Sequence, residues 1–441
     1  MNWQQLLSTK RFGEVRYHGR KLDERTEFNR DYDRIIFSSA FRRLQNKTQV
    51  FPLPGSIFVH NRLTHSLEVS SVGRSLGTDV ARRLIDKHPG LRDSHLWESG
   101  AIVSAACLAH DLGNPPFGHS GEKAIATFFS EGNGLKYKSQ MPQAEWEDLI
   151  HYEGNANTFR LLTHHFNGRR EGGFALTYST LASIVKYPFP SLLAGKKLKF
   201  GFFQSEWETY RTIAGELGIE PTDDEGRTYM RHPFVYLVEA ADDICYEIMD
   251  IEDAHKLKLL STDETLGLLL GFFGKDRQAM YRTALDGIAD MNEKVAYMRS
   301  CVISELESAC VNLFVDNEEK ILAGQFSGSL VKNLSGSLRE GYERCEEVSY
   351  SRIYVSRDVS GIELAGYKII STLIELYVEA AMTPGRAYSR LLLSRVSSQY
   401  NISEGTMYDK ILGVLDFISG MTDVYALDLF RKINGESIPI I

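Results

Sequence analysis

The sequence predicts an all-α fold: a helical core with a C-terminal helical extension and few short strands. Three observations carry that prediction. Val69, Val72, Leu76, Val80 and Leu84 recur three or four apart, the spacing that lines one face of a helix. Residues 96–109 are apolar almost all round, as a helix buried on every side must be. Strand signals are scarce, with only a short ribbon expected at 351–356.

The elements follow in order. Residues 10–47 hold eleven Lys/Arg against six Asp/Glu, which reads as a salt-bridged helical face. The helix through 69–84 stops before Gly90, which follows His88-Pro89. The buried helix ends in His110-Asp111-Leu112-Gly113, with Gly113 read as its cap. A polar loop at 131–145 and a basic-aromatic stretch at 186–203 interrupt the helices. Pro233 opens the next strong helix, because its fixed φ suits a first turn and its missing N–H costs nothing there. Further helices are expected at 262–325, 358–382, 386–398 and 404–434. With no repeat and no linker of disordered composition, the chain reads as a core at 1–255 and a helical region at 256–441 packed on it.

The 441 residues are 43% hydrophobic and 24% charged, enough apolar material for a large core. No apolar run approaches the ~20 residues that span a bilayer. The stretch MNWQQLLSTKRFGEVR lacks the apolar centre of a signal peptide, so a cytoplasmic protein without a membrane partner is expected. Fifty Lys/Arg against 58 Asp/Glu give a net charge of −8 and no global attraction for nucleic acid. The five cysteines form no CxxC pair, which argues against a thiolate metal site and a disulfide framework. Cys107 and Cys245 read as small core residues.

Candidate chemistry gathers in four places. The helix from Pro233 carries Glu239, Asp242, Tyr246, Asp250 and Asp253 at three- or four-residue spacing beside its apolar face. That stripe fits a solvated surface or an internal cleft. Elsewhere His65 opens one helix, His110-Asp111 closes the buried one, and Gly118-His119-Ser120-Gly121-Glu122 opens another after Pro115-Pro116. Two imidazoles and two carboxylates form a mixed N/O set suited to Mn²⁺, Mg²⁺, Fe²⁺ or Co²⁺. The other histidines, His60 among them, have no such constellation in sequence; His151, in HYEGNANTFRLL, is the one exception to watch.

The order His65, His110-Asp111, Asp242 resembles the HD-domain metal phosphohydrolases. The strings IIFSSAFRRLQNKTQVF, NRLTHSLEVS, AHDLGNPPFGHSGE and EAADDICYEIMDIEDA resemble one branch of them, the deoxyguanosinetriphosphate triphosphohydrolases, and GMTDVYAL extends the likeness nearly to the C-terminus. The resemblance implies an HD-type helical core. It implies hydrolysis of a dNTP, dGTP foremost, at the α-phosphate to deoxynucleoside and triphosphate. Position by position it implies that His65, His110, Asp111 and Asp242 hold a divalent metal, Mn²⁺ or Mg²⁺ before Fe²⁺, Co²⁺ or Ni²⁺. It implies His119 and Glu122 as the catalytic dyad and Arg62 as a phosphate contact, with Lys186 and Tyr187 near phosphates and sugar. Gln45 and Asp250 are implied at the 3′-hydroxyl and Tyr246 against the sugar, and relatives suggest a homo-oligomer. Many relatives carry Arg where this chain has Val424, so the C-terminal string receives no role.

His119 fits two roles, acid toward the leaving 5′-oxygen or base toward the attacking water. The stretch 186–203 fits the mouth of the site, with single-stranded nucleic acid as its less favoured occupant.

Overall fold

The computed structural model describes residues 1–13, 24–51, 59–169, 171–195 and 198–437. It is 68% helical, and its described residues contain no sheet. Pairing is limited to isolated bridges such as Thr48 with Asn61. Part of the basic N-terminal segment, 14–23, lies outside the described residues. In the rest, Arg11 is buried and donates to Glu27 at 2.8 Å and Asp31 at 2.6 Å, so much of that local charge is internally paired.

The centre is made by three helices, Arg62–Lys87, Ser99–Ala109 and Pro233–Lys256. The 99–109 segment, SGAIVSAACLA, is small and apolar on every side, which lets its neighbours approach closely. At Gly73 a Cβ would come within 2.5 Å of the Cys107 sulfur. Ile102, Val103 and Leu108 are fully buried, each contributing about 1.5–3 kcal/mol of transfer free energy. Asn61 caps the 62–87 helix through a reciprocal box with Thr64, fixing the first turn that carries Arg62 and His65.

Two apolar cores result. The first contains the central helices and extends to Thr262–Leu270, Met291–Asp316 and Gly336–Val348. The second joins His119–Ser130 and Gln143–Ile150 to Arg357–Met382, Met407–Ser419 and Asp423–Ile433, through Phe129, Trp146, Leu373, Tyr377 and Ile418. The cores therefore do not separate at residue 255: the 119–150 helices side with the C-terminal ones.

Several local expectations are corrected. The ribbon at 351–356 is instead the end of a wide helical turn, Ser349–Ile353, that continues the 336–348 helix. The loop at 131–145 contains the 3₁₀ turns Asn133–Gln140 and the start of the next helix. The stretch 262–325 is broken into four helices, and 404–434 into two that part at Gly420. Gly113 is no left-handed cap. It is needed because Thr158 packs so near that a Cβ would stand 2.1 Å from the Thr158 nitrogen.

Candidate active site

A cavity of about 800 Å³ opens where the two cores meet. On its first-core wall, His65, His110 and Asp111 offer ligand atoms that all lie within 4.8 Å of one another. Asp242 Oδ1 lies 3.1 Å from His65 Nε2 and 3.4 Å from His110 Nε2. The ends of two helices and the middle of a third thus place all four groups around one point. His110 Nδ1 lies 2.6 Å from the Cys107 carbonyl, so Nδ1 carries a proton and donates it there. Nε2 then faces two carboxylates. Burial opposes charge on this ring, yet Asp111 and Asp242 outweigh it and lift its pKa to about 9. Burial likewise opposes ionisation of Asp111, but Arg62 at 2.6 Å leads the cations that hold it at about 2. Two imidazole nitrogens and two ionised carboxylates, crowded and half-shielded from water, are a donor set that fits a divalent cation.

The approach to the second wall is strained. Phe117 has φ +61° and Gly118 φ +54°, and His119 begins the next helix. His119 Nδ1 lies 2.7 Å from Glu122 Oε2, while the other Glu122 oxygen accepts from Gly154 N at 2.8 Å. Glu122 is buried; the His119 side chain is 73% exposed toward the cavity. The hydrogen bond to Glu122 raises the His119 pKa, favouring the imidazolium, with Nδ1 committed and Nε2 left for a reactant.

Lys186 and Tyr187 line the same cavity. Glu239 holds Lys186 Nζ at 3.2 Å and accepts from Arg231 at 2.7 Å. Burial works against the Lys186 charge, but Glu239 wins and raises its pKa.

Residues 62–173 match the HD domain, and residues 334–432 match the phosphohydrolase-associated domain. A deoxyguanosinetriphosphate triphosphohydrolase-like protein of Pseudomonas aeruginosa (strain UCBPP-PA14) is 40% identical over 448 residues, spanning 100% of both chains. One from Synechocystis is 38% identical, covering 99% of this chain and 100% of its own. The chain belongs to the deoxyguanosinetriphosphate triphosphohydrolase family. A Salmonella paratyphi A member, named deoxyguanosinetriphosphate triphosphohydrolase, is 28% identical over 92% of this chain and 93% of its own. An HD-domain hydrolase of this family is an enzyme, and the cluster on the first core is its candidate metal centre.

The remaining site residues expected for this family member divide. Tyr246 lines the cavity one turn beyond Asp242, its ring 6.0 Å from that of Tyr354. Asp250 lies behind that pair, 4% exposed, and accepts from the Tyr354 hydroxyl at 2.8 Å. Burial pushes its pKa well above the usual carboxylate range. Gln45 is exposed on its 3₁₀ turn and is not among the cavity-lining residues. Gln49 lines the cavity instead, with a buried Oε1 that has no hydrogen-bond partner among the described residues. Arg62 reaches the cavity but spends one arm on the Asp111 carboxylate, which it fixes in place.

Sequence reasoning passed over Lys199, Glu153 and Asn155, which also line the cavity. Lys199 Nζ sits 2.5 Å from Glu153, whose carboxylate in turn caps the 154–163 helix through Asn155 N. Only the basic composition of 186–203 pointed toward Lys199. His60, read as isolated, stands 3.0 Å from Glu68 and 2.9 Å from Asp253. Burial opposes its charge, but these carboxylates lift its pKa to about 10, clamping the start of the 62–87 helix to the 233–256 helix. Glu68 is eight residues on, but Asp253 lies 193 residues away.

Proposed function

We propose that this chain hydrolyses a deoxynucleoside triphosphate at the α-phosphate, releasing deoxynucleoside and intact triphosphate, with dGTP the first substrate to test. One observation carries the reading: the His119–Glu122 dyad and the four-residue N/O cluster face one cavity that also presents Lys186 and Lys199. His65, His110, Asp111 and Asp242 would hold the divalent cation, Mn²⁺ or Mg²⁺ by ligand type. Bound there, it supplies Lewis-acid neutralisation of phosphate charge and acidifies a water.

The chain's own groups do the rest. Lys186 and Lys199 are point charges for the triphosphate, each steadied by one carboxylate. Arg62, fixed by Asp111, keeps a second arm near Gly118. The bond from phosphorus to the 5′-oxygen breaks as water oxygen bonds to phosphorus and gives up its proton to solvent, and the departing alkoxide needs a proton. His119, held as imidazolium by Glu122, gives it from Nε2, an effect of about 10²–10⁴ in rate. The raised His119 pKa favours this acid role over the base role. Tyr246 would pack on the sugar and leave little space for a 2′-hydroxyl.

Incubation with Mn²⁺ and each dNTP, followed by chromatography, tests the reading. Tripolyphosphate with deoxynucleoside is the expected product pair. A monophosphate with pyrophosphate, or orthophosphate alone, would assign the site to another phosphohydrolase chemistry.

A further inference from the structure

From the contacts around Asp423, we infer that this residue is a positioning residue through which the C-terminal helix pair aligns the dyad with the metal-ligand wall. Asp423 begins the 423–433 helix and is 6% exposed, yet its carboxylate serves neither its own helix nor solvent. Oδ1 accepts from Phe117 N at 2.9 Å, and Oδ2 accepts from Thr48 N at 2.8 Å. Thr422, the residue before it, already provides the helix cap by accepting from Tyr425 N.

Both partners matter for the site. Phe117 holds a left-handed backbone two residues before His119, and a non-glycine residue stays there only when its surroundings fix it. The Asp423 carboxylate satisfies its N–H with a charge-assisted bond. Thr48 pairs with Asn61, and Lys47 O accepts from Arg62 N at 3.2 Å, so this segment braces the first turn of the helix carrying Arg62 and His65. One carboxylate therefore ties the turn before the dyad to the segment that braces the first turn of the 62–87 helix.

A second strap runs beside it. Lys47, 2% exposed, donates from Nζ to Asn114 O at 2.5 Å and Ser419 O at 2.7 Å. Asn114 in turn donates to Asp111 Oδ1 at 2.5 Å. Residues 47–48, 111–117 and 419–423 thus meet in one junction. The 357–382 helix adds support where the Ser120 hydroxyl donates to Glu363 O at 2.5 Å.

Replacing Asp423 by Asn tests the inference, because an amide can accept from one of the two N–H groups but presents a donor to the other. In Asp423→Asn, kcat for dNTP hydrolysis should fall roughly 10–100-fold with KM within about twofold, as for a misplaced reacting group. Metal content should match wild type, and the Phe117 and Thr48 amides should exchange with solvent at least tenfold faster. Leu429→Ala, a core deletion in the same helix, serves as the control. It should lower Tm while leaving kcat per folded molecule and those two amides unchanged. Asp423→Asn that keeps kcat within twofold, or loses it only in proportion to its unfolded fraction, overturns the inference. The activity readout rests on the hydrolase reading. The exchange readout does not, so slow Phe117 and Thr48 exchange in the variant counts against the strap whatever the substrate is.

Discussion

The two walls of the cavity are built differently. The metal-ligand wall belongs to the first core, where three helices packed around the small-residue segment 99–109 place His65, His110, Asp111 and Asp242 together. The dyad wall belongs to the second core, where His119 enters after a strained turn that the C-terminal helices hold from behind. On the proposed function, binding and proton transfer rest on separate packing units, joined at Lys47, Thr48 and Asp423. Damage to one wall should leave the other's signature intact.

The largest effect is expected on the metal wall. His110→Ala removes one of two imidazoles, and metal content and activity should fall together by roughly 10²-fold or more while the helical circular dichroism persists. A verified metal-free variant with full turnover would contradict the assignment. Next comes the dyad wall. His119→Ala should lower kcat by about 10²-fold with metal content kept and KM nearly unchanged. A tenfold rise in KM with kcat held would make His119 a binding group instead.

The pH profile sharpens the contrast. An acid must be protonated, and Glu122 raises the His119 pKa, so kcat should fall as pH rises through that value. Glu122→Gln removes the stabilising charge and should move that fall to lower pH. An unmoved alkaline limb would detach Glu122 from the proton transfer.

Smaller effects are expected where the walls meet the sugar. Asp250→Ala should reduce the preference for a dNTP over its 2′,3′-dideoxy analogue by up to about tenfold, the worth of one buried hydrogen bond. Tyr354→Phe frees Asp250 and should leave that preference in place or increase it. Equal discrimination by wild type and Asp250→Ala would make Asp250 purely a partner of Tyr354. Gln49→Ala should raise KM severalfold because Gln49 lines the cavity, whereas exposed Gln45→Ala should change KM less than twofold.

The same division explains what sequence reveals. The ligand wall is written in local chemistry: a histidine four residues after an Asn cap, a His-Asp pair at the end of an apolar helix, and an aspartate one turn before Tyr246. Helical periodicity then fixes which side chains share a face. The dyad is local too, since His119 and Glu122 are one turn apart. The links of Asp423 to Thr48 and Phe117, of Lys199 to Glu153 and of His60 to Asp253 were hidden because these partners lie tens to hundreds of residues apart, and no pattern in one chain marks such pairs. Gln45 and Gln49 show the finer limit: the 3₁₀ turn Leu44–Asn46 and the residues after it decide which glutamine faces the cavity, and only the folded backbone sets it. The wide turn at 349–353 escaped for a related reason. Ile353, Tyr354 and Val355 are strand-favouring residues, but packing of this turn against the 233–256 helix, where Ser349 donates to Glu247 at 2.7 Å, keeps the 349–353 segment helical.

In the proposed reaction water attacks the α-phosphorus while the dyad protonates the 5′-oxygen. Turnover of dGTP with Mn²⁺ in oxygen-18 water, read by mass spectrometry of both products, shows which bond is cleaved. One heavy oxygen is expected in the released tripolyphosphate and none in deoxyguanosine; label in the nucleoside, or release of labelled orthophosphate, would rule this reaction out.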